Sequence, residues 1–451
     1  MSTVKLTPYA PGSIRELVAI AWPMMLSSAI ACFMVIADRV ILSHYSTEAF
    51  NACFGAIQWY WALLATTLEF ALIAEVFVGQ CNGAQRFKEI GPVVWQMIWF
   101  CCALFLLFIP LALWGTPYLL ANNIAELGAP YLRILLIFIP IDGIGFGALT
   151  AFFVGRGKTW IVSIAAVLSG LLNIILDFIL IFGCGIIPRY GIVGAATATV
   201  ISQSLLGLGL FAVFLKKSHR ERYGTGEVAL KPALLKECLA IGFPSALNHL
   251  INTLLWAAMT QVIAQHVSSE DFQAYGIAHS IHMLFAFIID GMSIGTRTIC
   301  ANALGAHRFE IVPKNLRAWL FLSALATALT AVGMLIYPDN IINAFLKESE
   351  TGIAHTLVQH MLLWTWIVFT LDLVAYNLRS VLLASGDTKF IMGVNVLSFA
   401  SCFVFPTYIG IVYFDCRPVI FWRFMALNCA ACIIFFALRY RRGHWRQRTL
   451  I

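Results

Sequence analysis

Apolar residues continue for twenty positions and more, again and again, along this 451-residue chain. About 20 such residues, wound as a helix, cross the ~30 Å of hydrocarbon in a bilayer. A chain that is 61% hydrophobic and 11% charged cannot hide that much apolar surface in a soluble core, since ordinary soluble domains are about 25% charged. Disorder is excluded as well, because it needs the opposite composition. The chain is therefore expected to be an all-α membrane protein. Polar, Pro and Gly breaks give twelve transmembrane helices near 16–43, 50–78, 92–114, 124–153, 159–184, 191–215, 237–266, 271–300, 315–337, 353–385, 390–413 and 418–438. The first run is long and lacks a small-residue cleavage site, so it is expected to be retained. The 12 cysteines are scattered through the runs with no paired CxxC motifs, as expected of buried thiols acting as small hydrophobes.

Basic residues orient the spans. With the N-terminus in the cytoplasm, the outside loops hold only Arg189, Lys347 and Arg417 of the 29 basic residues, and five more (Arg39, Arg133, Arg297, Arg379, Arg423) fall within spans. Both termini are thus expected to be cytoplasmic. The net charge of +7 needs no nucleic acid, since a tail such as Arg439–Arg448 suits an anionic leaflet.

The chain repeats itself. Residues 14–23, ending in Trp22-Pro23, read like residues 235–244, ending in Phe243-Pro244. Gly83-Ala84-Gln85-Arg86-Phe87 returns as Gly305-Ala306-His307-Arg308-Phe309, and Gly157-Lys158-Thr159 parallels Gly386-Asp387-Thr388-Lys389. Six spans per copy give both copies the same topology. This predicts two six-helix lobes, residues 1–215 and 237–451, related by a pseudo-twofold axis along the membrane normal and joined by a cytoplasmic linker at 216–236, with a cavity between them.

Several segments resemble the multidrug and toxic compound extrusion (MATE) family: Pro23 followed by Asp38, Val78–Ala84, Leu172-Asn173-Ile174-Ile175-Leu176-Asp177, Gly191–Thr199, and Ser385-Gly386-Asp387-Thr388-Lys389. The resemblance covers nearly the whole chain. It implies a bacterial inner-membrane antiporter, without an enzymatic cofactor, that expels small organic, often cationic compounds in exchange for H⁺ or Na⁺ and works as a monomer in the bilayer. The family's cation site maps onto Asp38, Asn173, Asp177 and Thr199, with Asp38 and Asp177 as ligands if the ion is Na⁺. A carboxylate used by some branches on the seventh span has no counterpart, and Asn252 is the nearest polar candidate there.

The residues can also be weighed physically. An ionised acid at the bilayer centre costs about 2.5–3.5 kcal/mol, so it must pair, protonate or line a cavity. Asp38 and Asp177 lie at similar depths, roughly 27–33 Å along their helices from the cytoplasmic ends. Asn173, at i−4 from Asp177, shares its face. Such a pair can hold one proton or a Na⁺. A second set, Glu69, Asp142, Asp290 and Asp372, recurs in both copies and is expected to line the cavity and attract cationic substrates. Pairing of Asp290 and Asp372 with Arg297 and Arg379 is the alternative. Glu75, near the inner end of its span, suits an ion pair equally well. Pro23, Pro110, Pro140, Pro244 and Pro406 each free a backbone carbonyl and can bend a helix.

Two features invite enzymatic or metal readings. Gly291-Met292-Ser293-Ile294-Gly295 fits GxSxG but lies in a helical run, where small-residue packing explains it. His279 and His282 share a helix face without an evident third metal ligand. Neither a Walker motif nor HExxH occurs. A lipid-linked precursor flippase remains an alternative; it would favour a basic cavity, whereas the mid-membrane excess here is acidic. An intramembrane enzyme would need a catalytic constellation that these residues do not assemble.

Overall fold

The computed structural model describes residues 5–120, 122–345, 353–446 and 450; Lys347 and Arg448 lie outside them. Twelve helices are long and apolar enough to span a bilayer: α1 Ile14–Tyr45, α2 Glu48–Gly83, α3 Phe87–Leu119, α4 Ala125–Val154, α5 Thr159–Phe182, α6 Ile192–Phe214, α7 Pro232–His266, α8 Ser269–Gly305, α9 Ile311–Ile336, α10 His355–Ala384, α11 Thr388–Val412 and α12 Val419–Arg441. Among the described residues the only β pairing is an isolated bridge, Cys184–Ile187. Five boundaries move by five residues from the expected ones: the end of α2, both ends of α3, the start of α7 and the end of α8. α7 starts inside the expected linker because Pro232 occupies its first turn, where a missing N–H costs nothing. α8 runs on to Gly305 before the chain turns.

Local chemistry sets the helix starts. Ser13 accepts from Glu16 N at 3.2 Å while the Glu16 carboxylate accepts from Gly12 N at 2.6 Å, so each satisfies an otherwise orphaned donor. Ser46 and Ser268 cap α2 and α8 in the same way, on Ala49 N and Asp271 N.

The repeat extends to backbone detail. Gln85 and His307, equivalent residues after α2 and α8, both take left-handed φ, at 61° and 52°. Gly157 and Gly386, after α4 and α10, do so at 72° and 75°. Wide π-type turns open α3 at Leu111–Gly115 and α9 at Val332–Ile336. Another in α11, Phe399–Val404, precedes Pro406, whose ring displaces the carbonyl one turn earlier.

Within each half, much of the packing joins helices that are not neighbours in sequence: α1 on α5, α2 on α4, α8 on α10 and α10 on α12. Between halves, α1 packs on α8 and α2 on α7, a pair of contacts that exchanges when the copies exchange. The α1–α8 contact is close because Gly291 and Gly295 face it: a Cβ on Gly291 would collide with Met25, and one on Gly295 would press on Ala21 and Leu17. The GxSxG segment is therefore a helix-packing surface, as its setting implied.

The linker is strapped to α3. A short helix, Lys217–Tyr223, leads into an extended stretch. There Trp95 Nε1 donates to Thr225 O at 2.9 Å, Trp99 Nε1 to Val228 O at 2.8 Å, and Lys231 N to Gln96 Oε1 at 2.8 Å.

Candidate functional site

α5 turns a polar, small-residue stripe inward and its bulky apolar residues outward. Ser163, Ser169, Gly170, Asn173 and Asp177 are buried, whereas Ile164, Leu168, Leu171, Ile175 and Phe178 are exposed. In a bilayer the outward face is solvated by lipid, so polar groups must be gathered inside. A Cβ on Gly170 would press on Ile30 and Met34, which places α1 against this stripe. The four expected cation-site residues meet there. The Asp38 carboxyl, from α1, faces that of Asp177 within hydrogen-bond reach and also reaches Thr199 on α6. Asn173 Nδ2 donates to Thr199 Oγ1 at 3.4 Å. Asp38 is 8% exposed, while Asn173 and Asp177 are fully buried. Four oxygens of this set (Asp38 Oδ1, Asn173 Oδ1 and both of Asp177) accept no hydrogen bond from any described residue. Buried acceptors normally find donors, so chemically the set can accept a proton or a hard cation.

A second charged set lies where the halves meet. Glu69 on α2 accepts from Ser245 Oγ of α7 at 2.8 Å. Asp290, midway along α8, is open to solvent yet within electrostatic reach of Glu69, Arg297 and Arg379. A mid-helix acid that is open to solvent and faces the opposite half lines a gap between them. Nearer the ends that carry the described terminal segments, the gap closes. Glu75 accepts from Arg297 Nε at 3.0 Å, more closely from Arg297 Nη2, and from Thr298 Oγ1 at 3.0 Å. Gln80 Nε2 donates across to Ala384 O at 2.8 Å, and Asn302 Nδ2 across to Gly155 O at 2.8 Å. Gln80 and Asn302 are equivalent residues of the two copies, as are Gly155 and Ala384. Asn82 Nδ2 adds a bond to Asn302 Oδ1 at 2.7 Å, and Leu450 N bonds Gln80 Oε1 at 2.7 Å. Gly83 and Gly305 allow this approach, because a Cβ on either would overlap the backbone of Asn302 or Gln80.

The MatE family model matches the chain twice, over residues 23–179 and 244–409. The chain belongs to the MatE family. Curated MatE relatives include "Probable multidrug resistance protein NorM" of Thermotoga maritima, 23% identical over 97% of this chain and 94% of the relative. Another is "Probable multidrug resistance protein YoeA" of Bacillus subtilis, 24% identical over 80% and 79%. Among solved structures, one described as the outward-facing conformation of a multidrug resistance MATE family transporter superposes with a TM-score of 0.83 at 20% identity over the full length of both chains. A eukaryotic MATE transporter, AtDTX14, gives 0.78 at 16% identity over 96% of each chain. This MatE chain is thus an integral membrane protein with a transporter fold, and the two matched stretches coincide with its internal repeat.

Not every expected site residue of the MatE chain falls where the sequence suggested. Asp142 stands apart from the gap: it is 4% exposed, inside the first half, where Tyr60 Oη donates to it at 3.0 Å. The Gln203 amide lies against both of its carboxyl oxygens, at 2.9 and 3.2 Å. Arg297 is taken by Glu75 from the other half rather than by an acid on its own helix. Asp372 is buried in the second half, where it accepts from Cys429 Sγ at 3.1 Å and lies 3.5 Å from His282 Nε2. His282 stacks on Trp256, and Trp256 Nε1 donates to His279 Nε2 at 3.2 Å. This is a polar pocket in an aromatic cluster; among the described residues no group of three His, Cys, Asp or Glu has the geometry to hold a metal ion. Asn252 bonds Asn248 one turn away, at 3.4 Å. Tyr60 and Gln203 carried no signal in the sequence, since the acid that Tyr60 meets is 82 positions away.

Proposed function

We propose that this protein is a secondary antiporter that exports small organic, often cationic, compounds in exchange for H⁺ or Na⁺, across a bacterial inner membrane with both termini in the cytoplasm. The single observation that carries the reading is the buried Asp38–Asp177 pair, whose three donor-less oxygens are joined by that of Asn173. Two carboxylates about 4 Å apart repel by about 4 kcal/mol at an effective dielectric of about 20. A proton or a hard cation relieves that repulsion. Loss of the ion restores it, and the pair is then driven apart.

α1 is placed to carry the consequence to the other half. It bears Asp38 beside α5 and α6, and its earlier turns (Leu17, Ala21, Met25) press on Gly291 and Gly295 of α8. Ion binding in the residue 1–215 half would thus bias how that half seats on the 237–451 half, with 216–236 as the tether between them. Glu69 and Asp290 give the gap acids from both halves, which suits organic cations. The names of the bacterial relatives, which refer to multidrug resistance, support the substrate class.

The test is uptake of a fluorescent organic cation by sealed inverted vesicles under an imposed pH or sodium gradient. Wild type is expected to respond to at least one gradient and Asp38→Asn to neither. Gradient-driven transport by Asp38→Asn at the wild-type rate would reject the assignment.

A further inference from the structure

Asp142 is a buried acid that the cation site does not use. It sits about 18 Å along α4 from the helix end at Val154, 4% exposed, and among the described residues it has no ion pair. Every element packed on it contributes a neutral group. Tyr60 of α2 donates to Oδ2, Gln203 of α6 covers both oxygens, and the Cys101 thiol of α3 lies beside neighbouring Gly143. The nearest base on its own helix, Arg133, spends its Nε on Ala112 O at 3.2 Å.

Gln203 makes this arrangement more than a satisfied core acid. An amide presents an acceptor on one side and donors on the other. With Nε2 toward Asp142 it donates to a carboxylate; turned over, with Oε1 toward Asp142, it accepts from a carboxylic acid O–H. Tyr60 Oη, 3.0 Å from Asp142 and 3.3 Å from Gln203, stays bonded in either case. Both protonation states are therefore fully hydrogen-bonded at the cost of rotating one half-exposed amide. A purely structural buried acid needs only one such state.

The position adds direction. Gln203 is one helical turn from Thr199 on the same face of α6, about 6 Å along the axis, and Tyr60 is close enough to feel the charges of both Asp142 and Asp38. Asp142 thus lies next to the Asp38–Asp177 pair on the side toward the end of the molecule where the halves are bolted.

We infer that Asp142, held by Tyr60 and the rotatable Gln203 amide, is a second proton-binding carboxyl of the coupling machinery. The proton, arriving from the aqueous side by way of the first pair, forms an O–H bond on Asp142. The carboxylate loses its charge, Gln203 turns to accept the new O–H, and release reverses these changes. This inference rests on the reading that the first-half acids couple ion flow to export.

Reconstituted full-length protein in liposomes, loaded with a pH dye and given a fluorescent organic cation, reports protons moved per substrate. Asp142→Asn is expected to move one proton fewer than wild type and to lose a pH-dependent carboxylic acid C=O band in the infrared difference spectrum. Gln203→Leu, at a half-buried site, is expected to shift the pH profile of transport. If Asp38→Asn loses coupling while Asp142→Asn keeps the wild-type stoichiometry and band, or Gln203→Leu keeps the wild-type profile, the inference is overturned and the first reading stands. If Asp38→Asn also keeps full coupling, the first reading falls too.

Discussion

Asn302→Leu is expected to unbolt the closed end of the molecule. Asn302 donates to Gly155 O at 2.8 Å across the seam and accepts from Asn82 at 2.7 Å. Leucine is close in size but makes neither bond, so a buried carbonyl and an amide hydrogen lose their partners. Each such group costs about 1–3 kcal/mol, which gives at least about 2 kcal/mol while the halves stay in contact. Separation lets water reach both groups, so the penalty falls on the closed arrangement and not on the open one. At tenfold per 1.4 kcal/mol, the closed-to-open ratio drops by about 30-fold. Native thiols report it. Cys81 and Cys300 flank the seam and are 1% and 0% exposed, Cys53 is buried within the first half, and Cys184 is exposed. Maleimide labelling followed by peptide mass spectrometry should show Cys81 and Cys300 reacting faster in the variant, with Cys53 still protected and Cys184 unchanged. Wild-type labelling rates at Cys81 and Cys300 in folded Asn302→Leu protein would refute the seam argument. Faster labelling at Cys53 as well would mark general loosening instead, and would equally refute it.

Three further outcomes follow from the same contacts. Glu75→Gln deprives the part-buried Arg297 of its hydrogen-bonded carboxylate, an expected loss of about 1–3 kcal/mol in chemical-denaturation or thermal assays in detergent; the double variant with Arg297→Met should recover most of it. Gly305→Ala, whose Cβ would enter the Gln80 backbone, should disrupt the seam and abolish export, whereas Gly393→Ala, with nothing within 4 Å, should leave export intact and raise helix stability by up to about 1 kcal/mol. Docking of the linker helix should weaken in acid. Burial and the neighbouring Arg156 charge hold the His219 imidazole below its ordinary value of 6.5, so the undocked state takes up the proton more readily. Stability is then full above 6.5 and is lost as pH falls below it. Hydrogen exchange across residues 217–229 should rise on acidification in wild type and lose that response in His219→Phe.

Much of the fold was legible in the chain because a bilayer restricts the options so strongly. Without water to satisfy an exposed backbone, an apolar run of sufficient length becomes a spanning helix, and the twelve expected spans match the observed ones to within a few residues at most ends. The repeat was legible for a related reason: a turn that needs left-handed residues after α2 keeps its short motif when copied after α8. The Asp38, Asn173, Asp177 and Thr199 set was legible through the resemblance to the MATE family, and matched depth for the two acids, one with an amide at i−4, gave three of its members a physical basis.

What the chain could not announce is which groups meet across helices far apart in sequence. Helical periodicity places Glu75, Asp142, Asp290 and Asp372 alike as acids within spans; it does not say that one meets an arginine from the other half, one a tyrosine and a rotatable amide, one an open gap, and one a histidine and a thiol. Those outcomes depend on interhelical distances of a few ångströms. The glycines at 83 and 305 and the crossing of α1 over α8 set those distances, and they exist only once all twelve helices are packed.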